Sequence, residues 1–188
     1  PVFTGRNEQG PAMHASLWVF GYGSLIWDPG FPVAERRIAR LSGWHRSFCM
    51  RSIHHRGTPE RPGLVLALDR AEGASCTGLA FRVQPGAEDA TLRGLREREL
   101  VSSAYLERTL PVATAQGGLE ALTYVIDPDH VQYCGGLPLE EQARIIAQAT
   151  GGRGPNRDYL WSTVAHLAEL GIGDPDLDWL ADEVRRLL

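Results

Sequence analysis

Two stretches of this chain carry groups at spacings that chemistry can use. In residues 87–101, Leu92, Leu95 and Glu99 recur at i, i+3 and i+7. At about 100° per residue in a helix, that spacing puts all three on one stripe. Leucines on a stripe turn it toward a core, so Glu99 faces inward while Glu97 points to water. A carboxylate on a buried face is costly unless it is paired or used. Desolvation raises its pKa toward the strength of a general base near neutral pH. The plain alternatives are an ion pair with Arg96 or Arg98, or fraying at the helix end.

The second stretch is Gly21, Tyr22, Gly23, Ser24 and Leu25. A glycine-rich turn at a strand end can aim several backbone N–H groups into one concavity. Such a nest holds a carboxylate or a developing oxyanion; an ordinary tight turn is the plain alternative. Position 26 is Ile and no helix follows directly, so this is not a dinucleotide fingerprint. Tyr22 and Ile26 stand where a nucleophile elbow needs glycines. His54 with His55, and His130 with Cys134, are the metal-like pairs, and both lack the partners of a zinc site. No metal or cofactor is expected. Residues 151–154 (Gly-Gly-Arg-Gly) read as a helix-ending turn. The five tryptophans read as core anchors, with Trp27 set apart because it follows the glycine turn.

Composition removes whole classes of function. All 19 basic residues are Arg, which excludes Schiff-base and P-loop lysine chemistry. A formal net charge of −4 within 188 residues suits neither a nucleic-acid binder nor an anionic membrane surface. No apolar run reaches the roughly 20 residues that span a bilayer. Cys49, Cys76 and Cys134 are odd in number and widely spaced, which points to a reducing compartment, the cytoplasm.

The elements that must position these groups follow from periodicity. Residues 1–16 lack it and read as a loose tail; residues 17–188 read as one domain. Residues 17–22 read as a buried strand, 35–51 as one or two strands, and 64–68 with 76–83 as a strand pair. After the helix at 87–101, residues 106–113 and 120–127 read as strands. Three helical stripes finish the chain: Leu139, Ala143, Ile146; Leu160, Val164, Leu167; and Leu177, Leu180, Val184, Leu187. Strands first and helices last argue for an α+β fold: a small curved sheet or β-barrel with helices packed outside.

Together these segments resemble the ChaC family, the glutathione-specific γ-glutamylcyclotransferases. Residues 18–27 (Trp-Val-Phe-Gly-Tyr-Gly-Ser-Leu-Ile-Trp) resemble its opening strand and loop. Residues 56–63 (Arg-Gly-Thr-Pro-Glu-Arg-Pro-Gly), Arg98-Glu99-Leu100 followed by Tyr105, and Tyr133-Cys134-Gly135 continue the match. So do residues 156–160 (Asn-Arg-Asp-Tyr-Leu) and Leu170-Gly171-Ile172. Cys134 and the missing aromatic before Glu99 are departures. The resemblance implies a barrel of γ-glutamylcyclotransferase type, with glutathione as the small-molecule partner and neither nucleic acid nor membrane. It implies that Val19, Phe20, Gly21, Tyr22, Gly23, Ser24 and Leu25 bind the γ-glutamyl group, and that Glu99 is the general base. Arg51 or Arg56 would pair with a substrate carboxylate or anchor a loop. Tyr22, Tyr105 and Tyr133 would donate hydrogen bonds or pack in the core. The implied reaction releases 5-oxoproline and Cys-Gly. Other γ-glutamyl amides or amines as substrates, or a non-catalytic regulator associated with cation transport, stay as alternatives.

Overall fold

A computed structural model describes residues 16–188; the expected loose tail, apart from Ser16, lies outside the described residues. Two long strands dominate, β2 (Val33–Ser52) and β3 (Gly63–Val83), paired antiparallel along their length. The expected pair at 64–68 and 76–83 is therefore one strand. Ser42 pairs with Ser75 and Trp44 with Arg70, so residues 71–74 bulge opposite Gly43. Gly43 (φ +85°) and Gly73 (φ +77°) sit at the bend in the left-handed region that glycine enters freely.

The short β1 (Trp18–Gly21) pairs antiparallel with β3 and, at Val19, parallel with β5. The hairpin of β4 (Tyr105–Thr114) and β5 (Gly117–Ile126) then meets β2 at Ala39 and Arg40. The five strands close into a barrel in the order β1-β3-β2-β4-β5. Closure needs β1 and β3 close together. A Cβ on Gly78 would lie 2.2 Å from the Gly21 carbonyl oxygen, so only glycine fits there.

Helix α1 (Glu88–Glu99) follows β3, and its buried Leu95 packs with Val19, Leu25, Val83, Leu122 and Tyr124. Burying such a leucine contributes about 2 kcal/mol and holds the helix that ends at Glu99. The other helices, α2 (Leu139–Gln148), α3 (Asn156–Glu169) and α4 (Pro175–Leu187), share the main core with the barrel through Ala143, Ile146, Leu160, Leu167, Leu177, Leu180 and Val184. Asp174 caps α4 by accepting from the Leu177 N–H (3.2 Å), with Pro175 at the first helical position. Between α2 and α3 lies a small hairpin, β6 (Thr150–Gly151) and β7 (Gly154–Pro155), where a helix-ending turn was expected.

Candidate active site

The site is built where β3 runs bare. Around residues 64–66 β3 has β2 on one side and, among the described residues, no strand on the other. Side chains satisfy that edge instead. Asn156, fully buried at the start of α3, accepts from the Leu64 N–H and donates to the Leu64 carbonyl, both at 2.8 Å. One helical turn later the Tyr159 hydroxyl accepts from the Leu66 N–H (3.2 Å), and Tyr105 of β4 donates to the Leu66 carbonyl (3.2 Å). An exposed edge is thereby converted into the floor of a pocket.

The opposite wall is the turn after β1. Residues Ser24–Ile26 wind into a 3-10 turn, in line with the glycine-rich turn read from the sequence. Ile26 donates to the Gly23 carbonyl (2.9 Å), and Trp27 and Asp28 donate to that of Ser24. As the first amides of a helical turn, those of Gly23, Ser24 and Leu25 have no acceptor within it. Two buried groups set the turn's orientation. Tyr22 donates its hydroxyl proton to the Tyr124 carbonyl (3.1 Å), and Arg46 Nε donates to the Tyr22 carbonyl (2.6 Å). Arg46 also donates to the Thr77 carbonyl (2.5 Å) and pairs with Asp174 (2.9 Å), tying the turn to β3 and to the start of α4. Trp27 stacks on His166 of α3 with ring centres 4.4 Å apart.

Glu99 closes the pocket. The cavity is lined by Tyr22, Gly23, Ser24, Leu25, Leu66, Glu99, Tyr105, Tyr124 and Tyr159. Four of the chain's five tyrosines meet around one carboxylate. The Glu99 side chain is 18% exposed, while Glu97 is exposed, as the stripe predicted. Burial raises the pKa of Glu99, and the nearby Arg98 guanidinium, 3.5 Å away, partly opposes that. The carboxylate also sits at the C-terminal end of α1, where the helix dipole disfavours negative charge. Burial pushes Tyr159 up to about 12 and lifts Tyr22 and Tyr105 well above their ordinary value, so these phenols stay protonated. Tyr22 and Tyr105 spend their protons on backbone carbonyls, and Tyr124 donates to Glu107 (2.9 Å). Tyr159 accepts from Leu66, and no acceptor for its own proton is recorded among the described residues.

The pocket thus holds one titratable base and, without partners among the described residues, the Tyr159 proton and the amides of Gly23, Ser24 and Leu25. Such a set can bind an anion, take a proton from an amine and stabilise a developing oxyanion. Other expected residues are not brought to this cavity. Val19 and Phe20 are sealed in the barrel, and Gly21 packs against Leu25 and Phe81. Tyr133 donates to Asp69 (2.9 Å), and the backbone of Arg51 pairs with Gln132 on the same side of β2. Arg56 donates to the Arg153 and Pro155 carbonyls and lies over the Tyr159 ring, 5.7 Å from its centre. It anchors the β6–β7 hairpin.

Sequence reasoning missed Tyr124, Tyr159, Leu66 and Arg46. Arg46 was within reach, because Trp44, Arg46, Phe48 and Met50 alternate along β2 and the last three are buried. Tyr159 stood inside a quoted segment, three residues after Asn156, with no local mark of its orientation.

The model of the ChaC-like protein family matches residues 17–187. The "Glutathione-specific gamma-glutamylcyclotransferase" of Escherichia coli is 36% identical over 184 residues, covering 97% of this chain and 77% of its own. "Gamma-glutamylcyclotransferase 2-3" of Arabidopsis thaliana is 38% identical, covering 92% of this chain and 90% of its own. A crystal structure of a yeast γ-glutamyl cyclotransferase specific to glutathione superposes with a TM-score of 0.81 at 24% identity. That match covers 92% of this chain and 97% of the yeast chain, and shows a shared fold.

Proposed function

The chain belongs to the ChaC-like family, and from that membership we propose that it is an enzyme cleaving glutathione into 5-oxoproline and Cys-Gly. The observation that carries the mechanism is Glu99, the one carboxylate lining the cavity among the described residues.

The reaction is internal to the substrate. The α-amine of the γ-glutamyl group attacks its own γ-carbonyl, closing a five-membered lactam. At neutral pH that amine is mostly protonated and unreactive. Glu99 takes a proton from it, aided by the burial that makes this carboxylate a stronger base than an exposed one. A C–N bond forms and the carbonyl becomes a tetrahedral oxyanion. As the oxyanion collapses, the old amide C–N bond breaks. The proton passes from Glu99 to the departing nitrogen; the new ring nitrogen, which still carries two hydrogens, gives up its extra proton through the same carboxylate, and Cys-Gly leaves as its ammonium. The carboxylate is regenerated, and neither water nor a covalent enzyme intermediate enters the balance.

The main task is to fold a flexible substrate so that amine and carbonyl meet, which is catalysis by proximity. The free amides of Gly23, Ser24 and Leu25 suit the α-carboxylate of the γ-glutamyl group. The tyrosine walls exclude water and keep Glu99 buried, which raises its pKa above the ordinary carboxyl value. No helix among the described residues is long and apolar enough to cross a membrane. The thiols of Cys49, Cys76 and Cys134 are all free, which fits a reducing cytoplasm where glutathione is abundant.

Incubation of the protein with reduced glutathione, followed by mass spectrometry, tests this reading. Wild type yields 5-oxoproline and Cys-Gly in equal amounts, Glu99→Gln yields neither, and Glu97→Gln matches wild type. A wild-type rate from Glu99→Gln sinks the base assignment. Silence from wild type with glutathione, but turnover of another γ-glutamyl amide, moves the substrate and keeps the chemistry.

A further inference from the structure

We infer that Arg98 is the positioning residue of this site: one guanidinium holds the Glu99 carboxylate and the 23–28 turn at a fixed separation. The inference rests on the reading of Glu99 as base and of the turn as the substrate's anion cradle. Neighbouring residues on a helix point about 100° apart and do not ordinarily face each other. Here Arg98 Nε nevertheless approaches Glu99 Oε1 to 3.5 Å. The side chain folds back across the end of α1, and two further bonds hold it there. Nη1 donates to the Asp28 carbonyl (2.7 Å) and Nη2 donates to the Ser24 hydroxyl (2.9 Å). Gly30, at φ +74°, lies directly beneath: a Cβ there would sit 3.6 Å from Arg98 Nη1.

All three guanidinium nitrogens are therefore engaged, and together they span from base to cradle. Among the described residues, the hydrogen bonds that join α1 to this turn are those of Arg98. The neighbouring Arg96 turns outward and pairs with Glu107 of β4. The consequence is geometric. Cyclisation needs the amine beside Glu99 while its carboxylate rests on the amides of the turn. The two supports come from segments some seventy residues apart in sequence. Slack of about 1 Å between such supports costs on the order of 10²-fold in rate.

Arg98 also sets the charge that Glu99 experiences. The groups facing Glu99 are Arg98 on α1, Tyr22 and Ser24 on the turn, Tyr105 on β4, Tyr124 on β5 and Tyr159 on α3. Arg98 is the one that carries charge near neutral pH. Lysine cannot replace it, because a single ammonium cannot make the planar three-way span.

The test compares Arg98→Gln, Arg98→Lys and, as an outward-facing control, Arg96→Gln. Arg98→Gln is expected to lower kcat for glutathione about 10–100-fold with KM within about threefold. The acid limb of its kcat/KM profile moves to higher pH. Arg98→Lys keeps the acid limb near the wild-type position but still loses about tenfold in kcat; Arg96→Gln behaves as wild type. A wild-type kcat in Arg98→Gln overturns the inference. So does full recovery by lysine with the loss confined to KM, which would make Arg98 a direct contact for substrate charge. A readout independent of turnover is the titration of Glu99 followed by carbon NMR. Its pKa rises in Arg98→Gln, and an unchanged value overturns the inference whatever the substrate proves to be. A wild type inactive on every γ-glutamyl compound, with the Glu99 shift intact, would instead defeat the cyclotransferase reading.

Discussion

Replacing Arg46 by Met should cost about 4 kcal/mol of stability and impair the site at the same time. The side chain is 3% exposed and serves three acceptors: the Tyr22 and Thr77 carbonyls and the Asp174 carboxylate. Methionine restores much of the volume but none of the donors. Removing one partner of a buried ion pair costs about 3–5 kcal/mol, because the other charge stays behind unpaired. Asp174 is 16% exposed and keeps its bond to the Leu177 N–H, which argues for the lower end, about 3 kcal/mol. Each buried carbonyl left without a donor costs about 1–3 kcal/mol, partly recovered by water or small shifts. A total near 4 kcal/mol is a large share of the 5–15 kcal/mol typical of a domain.

Urea unfolding reads this directly. With a slope of about 2–3 kcal/mol/M, the midpoint falls by roughly 1.3–2 M. Asp174→Asn keeps an N-cap oxygen and removes only the charge, so it should cost less. The double variant should cost less than the sum of the singles, since the second change removes the charge that the first leaves stranded. In the folded fraction of Arg46→Met, the released Tyr22 carbonyl lets the turn shift, and kcat/KM for glutathione falls. A stability loss under about 1 kcal/mol, with additive single and double variants, would refute the buried-network reasoning.

Two further outcomes follow from the pocket's electrostatics. Because burial raises the pKa of Glu99, the native state binds its proton more tightly than the unfolded chain. Its charged form therefore weighs against folding as pH climbs from the unfolded carboxyl value through the raised native one. Glu99→Gln removes that opposition, so its Tm advantage over wild type should grow as pH rises above about 4, the unfolded carboxyl value, while activity is lost; a difference flat in pH would contradict the raised pKa. Tyr159→Phe removes the free phenol proton and should lower kcat about 10–100-fold. Tyr105→Phe removes a proton already given to the Leu66 carbonyl and should cost about 1 kcal/mol of stability with little change in kcat. Equal kcat for the two variants, measured at saturating glutathione, would refute the proton assignment.

Local periodicity made a good part of the molecule legible. The i, i+3, i+7 stripe of Leu92, Leu95 and Glu99 identified the inward carboxylate, because helix geometry fixes relative direction over a few residues. Alternating and amphipathic patterns located strands and the three closing helices within a few residues. The glycines of the turn announced a special backbone, and at Gly21 a Cβ would lie 3.0 Å from that of Leu25.

Other features came from contacts between distant segments. The apparent pair at 64–68 and 76–83 is one strand because its register with β2 continues across the bulge at Gly43, which only the partner strand specifies. The aromatics and cations divided among sites for the same reason. Tyr105 and Tyr159 converge on the bare edge of β3 at Leu66, whereas Tyr133 turns to Asp69 and Arg56 to the β6–β7 hairpin. The sequence thus determined which faces are buried and that a carboxylate lies on one of them. Tertiary structure decided which buried faces meet, bringing four tyrosines, free amides and Arg98 around that carboxylate. A residue's direction is set by its immediate neighbours along the chain, but its partners are set by strand register and by closure of the barrel.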